Sequence, residues 1–275
     1  MIKTVAIQGI EGSFHHIVSM DWFGNDVALV KCLSFDKVVQ SLMNGTSDVA
    51  IMAIENSIAG SILPNYALID NHQLSIVGEH YLGICHNMMA LPGQQIADIR
   101  EVYSHPMALL QCKEFFKKHP HIKLVEDKDT AEVAQRISSQ KLKNTGAVAG
   151  DLAAQLFGLE ILSKGIQTIQ HNETRFVIVC RQPADKDEKN INKASLKFVL
   201  EHQKGSLAKV LNAVSDHGLN LTKIQSMPII ETPWKYAFFV DVTFEDYQDY
   251  EKAIASVGKM AQDFKILGAY KNAKA

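Results

Sequence analysis

Residues 182–193 read Gln-Pro-Ala-Asp-Lys-Asp-Glu-Lys-Asn-Ile-Asn-Lys. Charged and amide side chains dominate this run, it contains a proline, and it has no apolar period with which to bury a face. Well-patterned sequence lies on either side. A chain interrupted in this way reads as two domains, residues 1–182 and 194–275, joined by a linker over 183–193. The 275 residues are enough for that division.

Before the linker, short apolar runs alternate with helical patterns. Thr4–Gln8 is a strand candidate, followed by a turn over Gly9–Gly12 and a helix through Trp22. Asp48–Ile54 is a second strand, apolar beyond its aspartate and so expected inside a parallel sheet. Glu101–Tyr103 leads into a helix over Pro106–Lys118, with the proline well placed in the first turn. Asp129 and Glu132 have capping-box spacing ahead of a helix over Glu132–Gln140. Thr145–Ala149 and Arg175–Cys180 are further strands. Strands separated by helices indicate an α/β fold with a mostly parallel sheet, divisible into two lobes.

After the linker the order changes. Ser195–Leu200 is a strand, and Gly205–Gly218 a helix with Leu207, Val210, Leu211 and Val214 on one face. Leu221–Ile230 and Tyr236–Phe244 are strands around a Thr-Pro-Trp turn. Tyr247–Met260 is a helix with Ile254 and Val257 inward, and Phe264–Tyr270 is the last strand. This is β-α-β-β-α-β, the ferredoxin-like plan.

Composition narrows the function. With 28 Lys+Arg against 30 Asp+Glu the net charge is -2, and no basic block supplies the positive field that nucleic-acid binding needs. No apolar run approaches the length of a membrane helix, and Glu11 interrupts Ile2–Ile10 before a targeting segment could form. Cys32, Cys85, Cys112 and Cys180 are scattered without a CxxC pair, which speaks against zinc and dithiol chemistry and fits a reducing cytoplasm. His15-His16 and His119-Pro-His121 lack acidic residues at ligand spacing, so no metal is expected. Gly9-x-x-Gly12 is not a nucleotide loop, and Ser104-His105, being neighbours, are not a hydrolase pair.

Four junctions place small polar groups at the ends of strands, where open α/β sheets bind ligands. They are Gly9–Ser13, Glu55-Asn56-Ser57, Ser104-His105-Pro106 and His171–Phe176. Each has a plain alternative. Asn56 and Ser57 suit a helix cap, as does Ser104. Ser104 and Gln111 are seven apart and would share a helix face, so Gln111 could line a cleft. Thr174-Arg175 pairs a hydroxyl donor with a planar cation suited to a carboxylate, or to an ion pair at the edge of a strand.

Together these segments resemble prephenate dehydratase. Gly9-Ile-Glu-Gly-Ser-Phe14 is similar to the family's G-P-x-G-T-Y/F opening, and Ala53-Ile-Glu-Asn-Ser-Ile-Ala-Gly60 to P-I-E-N-S-x-x-G. Ser104-His-Pro-Met-Ala-Leu-Leu-Gln-Cys112 resembles S-H-P…Q-C, and Asn172-Glu-Thr-Arg-Phe176 resembles N-x-T-R-F. The C-terminal region looks like the ACT regulatory domain, with Gly205-Ser-Leu207 and Leu219-Asn-Leu-Thr222 in its usual places. Three positions in the first two motifs differ, Ile10, Ser13 and Ala53, and none removes a polar group. In the ACT region the family's E-S-R-P reads Gln225-Ser-Met-Pro228, which loses both charges.

The resemblance implies a two-lobed catalytic domain of the type II periplasmic-binding-protein kind, followed by the ferredoxin-like ACT domain. It implies decarboxylative dehydration of prephenate to phenylpyruvate without a cofactor. Thr174, Glu55, Asn56 and Gln111 would be catalytic, and Ser13, Ser57, Ser104, His105, Arg175 and Phe176 would bind substrate. Gly205, Ser206, Leu207, Asn220 and Leu221 would receive a phenylalanine effector, in a homodimer or homotetramer. Arogenate dehydratase and a non-catalytic ACT-linked sensor are the alternatives. A sensor would have no use for the Thr174 hydroxyl.

Overall fold

A computed structural model describes residues 3–182, 190–201, 203–230 and 232–274. Residues 183–189, most of the expected linker, lie outside the described residues. The chain begins β1 (Thr4–Gln8), α1 (Phe14–Phe23), β2 (Ala28–Cys32), α2 (Phe35–Met43), β3 (Val49–Asn56) and β4 (Gly60–Ser61). Next come α3 (Leu63–Asn71), β5 (Ser75–Gly83), β6 (Asn87–Ala90), β7 (Glu101–Ser104), α4 (Pro106–Gln111) and α5 (Lys113–Lys117). Then follow β8 (Lys123–Glu126), α6 (Thr130–Gln140), β9 (Thr145–Ala149), α7 (Asp151–Phe157), β10 (Glu160–Ser163) and β11 (Glu173–Cys180). The C-terminal part is β12 (Lys193–Val199), α8 (Ser206–Asp216), β13 (Asn220–Pro228), β14 (Tyr236–Thr243), α9 (Tyr247–Met260) and β15 (Asp263–Tyr270). No helix among the described residues is long and apolar enough to cross a membrane.

Two compact units emerge. The first comprises the residues up to Gly60 together with Tyr81–Phe176, and the second Ser61–His80 together with Val177 onward. The sheets that begin in the first unit follow the orders β2-β1-β3-β11-β5 and β10-β6-β9-β7-β8. β1 is parallel to β2 and β3, and β7 is parallel to β8 and β9. β6, however, is antiparallel to β9 and β10, so the second sheet is mixed rather than mostly parallel. The chain passes from β5 of one sheet into β6 of the other without an intervening helix.

Local chemistry explains most boundaries. Val49–Ile54 is buried throughout, as a strand covered on both faces must be. Ser13 caps α1, its Oγ accepting the His16 N–H, while Gly9 and Gly12 turn the chain at φ +93° and +87°. A Cβ on Gly12 would lie 3.0 Å from the Ala153 Cα, so this turn needs glycine for space as well. The helix expected over Pro106–Lys118 breaks at Cys112 into α4 and α5. Asp129 caps α6 by accepting from the Ala131 and Glu132 N–H groups, which starts the helix at Thr130, ahead of the expected Glu132.

The second unit is a four-stranded sheet ordered β13-β14-β12-β15 with the expected β-α-β-β-α-β succession. Phe198, Val240 and Val242 pack with Val210, Val214 and Val257 of α8 and α9. The opposite face meets Ser61–His80. Tyr66 packs on Phe239 with ring centroids 5.1 Å apart, and Lys193 Nζ donates to both Glu79 oxygens at 2.9 and 2.8 Å. Lys197 and Lys265 both bind Asp70, at 3.2 and 2.6 Å. β15 passes so near β5 that a Cβ on Gly268 would lie 2.0 Å from the Ile76 carbonyl oxygen. The apolar run Tyr236–Val240 lies inside its sheet: β14 sits between β13 and β12, with Ala237, Phe239 and Val240 buried.

Candidate active site

The first unit brings two of the four strand-end junctions, Glu55-Asn56-Ser57 and His171–Phe176, together with Gln111 and His86 around neutral side chains. Glu55 and Asn56 do not cap a helix; they are the last two residues of β3. Asn56 Oδ1 accepts the Ile58 and Ala59 N–H groups at 3.0 and 2.9 Å, which closes a turn and fixes the amide's orientation. Its Nδ2 therefore faces β11, donating to Asn172 Oδ1 at 2.7 Å and Thr174 Oγ1 at 2.9 Å, with the Glu173 carbonyl at 3.3 Å. Thr174 accepts with its oxygen, and its hydroxyl hydrogen is left for another acceptor. Ser57 ties the same strands, its N–H donating to the Glu173 carbonyl and its Oγ accepting the Glu173 N–H.

Gln111 ends α4, and its Oε1 accepts from Asn172 Nδ2 at 2.9 Å and meets His86 Nε2 at 3.0 Å. The Thr168 N–H donates to the Gln111 carbonyl, and the His86 N–H donates to Gln167 Oε1. One chain of polar contacts thus runs His86–Gln111–Asn172–Asn56–Thr174, and every member is an amide, a hydroxyl or an imidazole. Burial pulls His86 below the ordinary imidazole range, partly opposed by the Gln111 contact, so the ring is neutral at pH 7.

Arg175 is buried beside this chain, 4.0 Å from Glu55 Oε2 and with its guanidinium 6.0 Å from the Tyr81 ring centroid. Ser13 is buried as the α1 cap at the edge of the Gly9–Gly12 turn. Near that turn, burial raises the Asp129 carboxyl above its usual value, against the two N–H groups of α6 that it accepts.

Two expected ligands fall elsewhere. Ser104 is not on a helix face with Gln111 but ends β7, fully buried, and gives its hydroxyl hydrogen to the Val148 carbonyl at 2.6 Å. The cap of α4 is His105, whose Nδ1 accepts the Met107 N–H, and His105 is exposed. Phe176 is a core residue, 1% exposed and edge-on to the His15 ring at 5.0 Å. It follows Arg175 on a strand, so its side chain takes the other face. Conversely, Asn172 and His86 belong to the network although neither was singled out as a site residue. Asn172 lay in plain view within its motif. His86 sits in the run Ile84–Ala90, where the one signal is a His-Asn pair among apolar residues.

The expected effector residues do not converge within one chain. Ser206 and Leu207, at the start of α8, line a cavity of about 140 Å³ with Trp234, Tyr236 and Phe238. Asn220 lines a separate cavity of about 470 Å³ with Gly218, Asp246 and Asp249. The 11 residues of α8 separate them, roughly 16 Å at 1.5 Å per residue. Leu221 packs against the core beside Asn220. Gln225 and Met227 stand opposite Phe239 and Ala237 in register, so they share the sheet face that Tyr66 covers, away from α8.

The prephenate dehydratase family model matches residues 5–184, and the ACT domain model matches residues 194–246. A bifunctional chorismate mutase/prephenate dehydratase of Buchnera aphidicola is 32% identical over 273 residues, covering 97% of this chain and 70% of that protein. An arogenate dehydratase/prephenate dehydratase of Arabidopsis thaliana is 34% identical over 276 residues, covering 97% and 72%. The crystal structure of prephenate dehydratase from Arthrobacter aurescens in complex with L-Phe matches at 25% identity and a TM-score of 0.88, covering 98% of this chain and 90% of that one.

Proposed function

The chain belongs to the prephenate dehydratase family, and from that premise we propose that it converts prephenate to phenylpyruvate, CO2 and water in phenylalanine biosynthesis. Residues 1–182 carry the reaction, 183–193 link, and 194–275 regulate. The reaction breaks two bonds. The ring carboxylate leaves as CO2, its electron pair enters the ring, and the ring hydroxyl departs as the ring becomes aromatic. Hydroxide is a poor leaving group, so a donor must meet the departing oxygen as charge develops on it.

The observation that carries this reading is the 2.9 Å contact from Asn56 Nδ2 to Thr174 Oγ1. With its oxygen held by Asn56, Thr174 points its hydrogen away from the network and toward the departing oxygen. A threonine O–H is too weak an acid to release a proton freely at pH 7, so its part is an oriented hydrogen bond, with water as the relay. The neutrality of Asn56, Asn172 and Gln111 matters for the other bond. A cation on the ring carboxylate would favour the ground state and slow loss of CO2, whereas amides orient without that penalty. Arg175 accordingly serves the pyruvyl carboxylate or its neighbour Glu55.

The effector residues at the two ends of α8 can form one phenylalanine site only if two copies of the chain contribute, which favours a homodimer or homotetramer. The location proposed is the cytoplasm. Phenylpyruvate release from purified protein given prephenate tests the function, with arogenate supplied in parallel. Turnover of arogenate alone would move the assignment to that substrate, and turnover of neither would leave a binding role.

A further inference from the structure

The polar network has a direction, and its far end is set by a residue outside every motif. Gln111 Oε1 lies between two nitrogens, His86 Nε2 at 3.0 Å and Asn172 Nδ2 at 2.9 Å. An amide oxygen in that position accepts from both, so the His86 proton is on Nε2. His86 Nδ1 then carries a lone pair, and it is buried without a hydrogen-bond partner among the described residues. The residue is clamped on every side. Its N–H donates to Gln167 Oε1 at 2.9 Å, its carbonyl accepts the Ile166 N–H at 2.8 Å, and Phe14 meets its ring edge-on at 5.7 Å.

At the opposite end, the turn at Ile58 and Ala59 fixes which way the Asn56 amide faces. The two ends have to agree. With the proton on Nδ1, His86 would present a lone pair to Gln111 Oε1, and Gln111 would rotate to offer its NH₂. Asn172 would then have to rotate as well, setting its NH₂ against that of Asn56, which cannot follow because of the turn. One repulsive pair would remain in a buried network, where such a mismatch is costly.

We propose that His86 is a positioning residue for the dehydration, holding Gln111, Asn172 and Asn56 in the one arrangement that leaves the Thr174 hydroxyl hydrogen for the departing oxygen. This rests on the reading of Thr174 as the donor. The ring does not touch the substrate; it works through the amides.

The test compares three replacements by steady-state kinetics, after phenylpyruvate release by the unaltered protein has established the reaction. Gln sets an amide N–H near the position of Nε2, Asn sets one near Nδ1, and Phe supplies neither. His86→Gln is expected to keep kcat within about threefold, while His86→Asn and His86→Phe lose roughly tenfold to a hundredfold in kcat with KM little changed. Equal activity of the Gln and Asn variants, or an unimpaired Phe variant, would overturn the proposal. NMR of the histidine ring nitrogens in the unaltered protein needs neither turnover nor variants. A neutral ring protonated on Nε2 supports the proposal, and one protonated on Nδ1 refutes it even if the dehydratase reading stands.

Discussion

Replacing Thr174 with alanine removes one oxygen and one methyl from a side chain that is 8% exposed. Asn56 Nδ2 loses one acceptor but keeps Asn172 Oδ1 at 2.7 Å and the Glu173 carbonyl at 3.3 Å, so no buried donor is orphaned. The stability cost should be about 1 kcal/mol, small against the roughly 5–15 kcal/mol that holds a domain together. Catalysis should suffer far more. The oxygen that Thr174 faces gains charge only in the transition state, and losing one such donor costs roughly 10²–10³ in kcat, about 2.7–4 kcal/mol. Because the ground state gains little from that donor, KM should barely move. Thr174→Val, which keeps the shape and loses the hydroxyl, should match alanine, and Thr174→Ser should retain most of the rate. Initial rates of phenylpyruvate formation across a substrate range, beside thermal melts of each variant, measure both quantities. An alanine or valine variant within about threefold of the unaltered kcat, or a serine variant as slow as alanine, would refute the assignment of Thr174.

Further expectations concern stability and regulation. His15 is buried between Phe35 and Phe176, and desolvation lowers its pKa from 6.5 to about 3. Below pH 6.5 the unfolded chain binds a proton that the native state refuses, so His15's share of stability is complete above 6.5 and declines toward pH 3 by about 1.4 kcal/mol per pH unit. Urea unfolding of His15→Phe at several pH values should show a shallower acid slope, and an unchanged slope would place the titration elsewhere. Gly268→Ala drives a Cβ against the Ile76 carbonyl and should lower the melting temperature by at least about 4 °C; an unchanged melt would mean that β5 gives way freely. Calorimetric titration should find phenylalanine bound roughly tenfold to a hundredfold more weakly than charge-assisted contacts allow, because Gln225 and Met227 carry no charge. Tight micromolar binding with strong inhibition would show that these two positions do not matter.

Sequence alone determined the β-α-β-β-α-β order of the second half, the buried apolar strand over Asp48–Ile54 and the polar junctions that follow the strands. These are local properties: period, proline and glycine placement, and small polar residues at element ends act over a few neighbours and leave their mark in the order of residues. Tertiary structure decided what those residues touch. Only the fold could show that Ser104 gives its hydroxyl to Val148, that Phe176 turns into the core, or that β6 runs against its neighbours. Only the fold could show that Ser61–His80, read as part of the first region, covers the face of the second unit's sheet through Tyr66, Asp70 and Glu79. The same holds for His86, whose partner Gln111 is 25 residues away and whose influence reaches Thr174 through Asn172 and Asn56. A hydrogen bond depends on two groups meeting within about 3 Å at the right angle, and no spacing along the chain records which distant groups will meet.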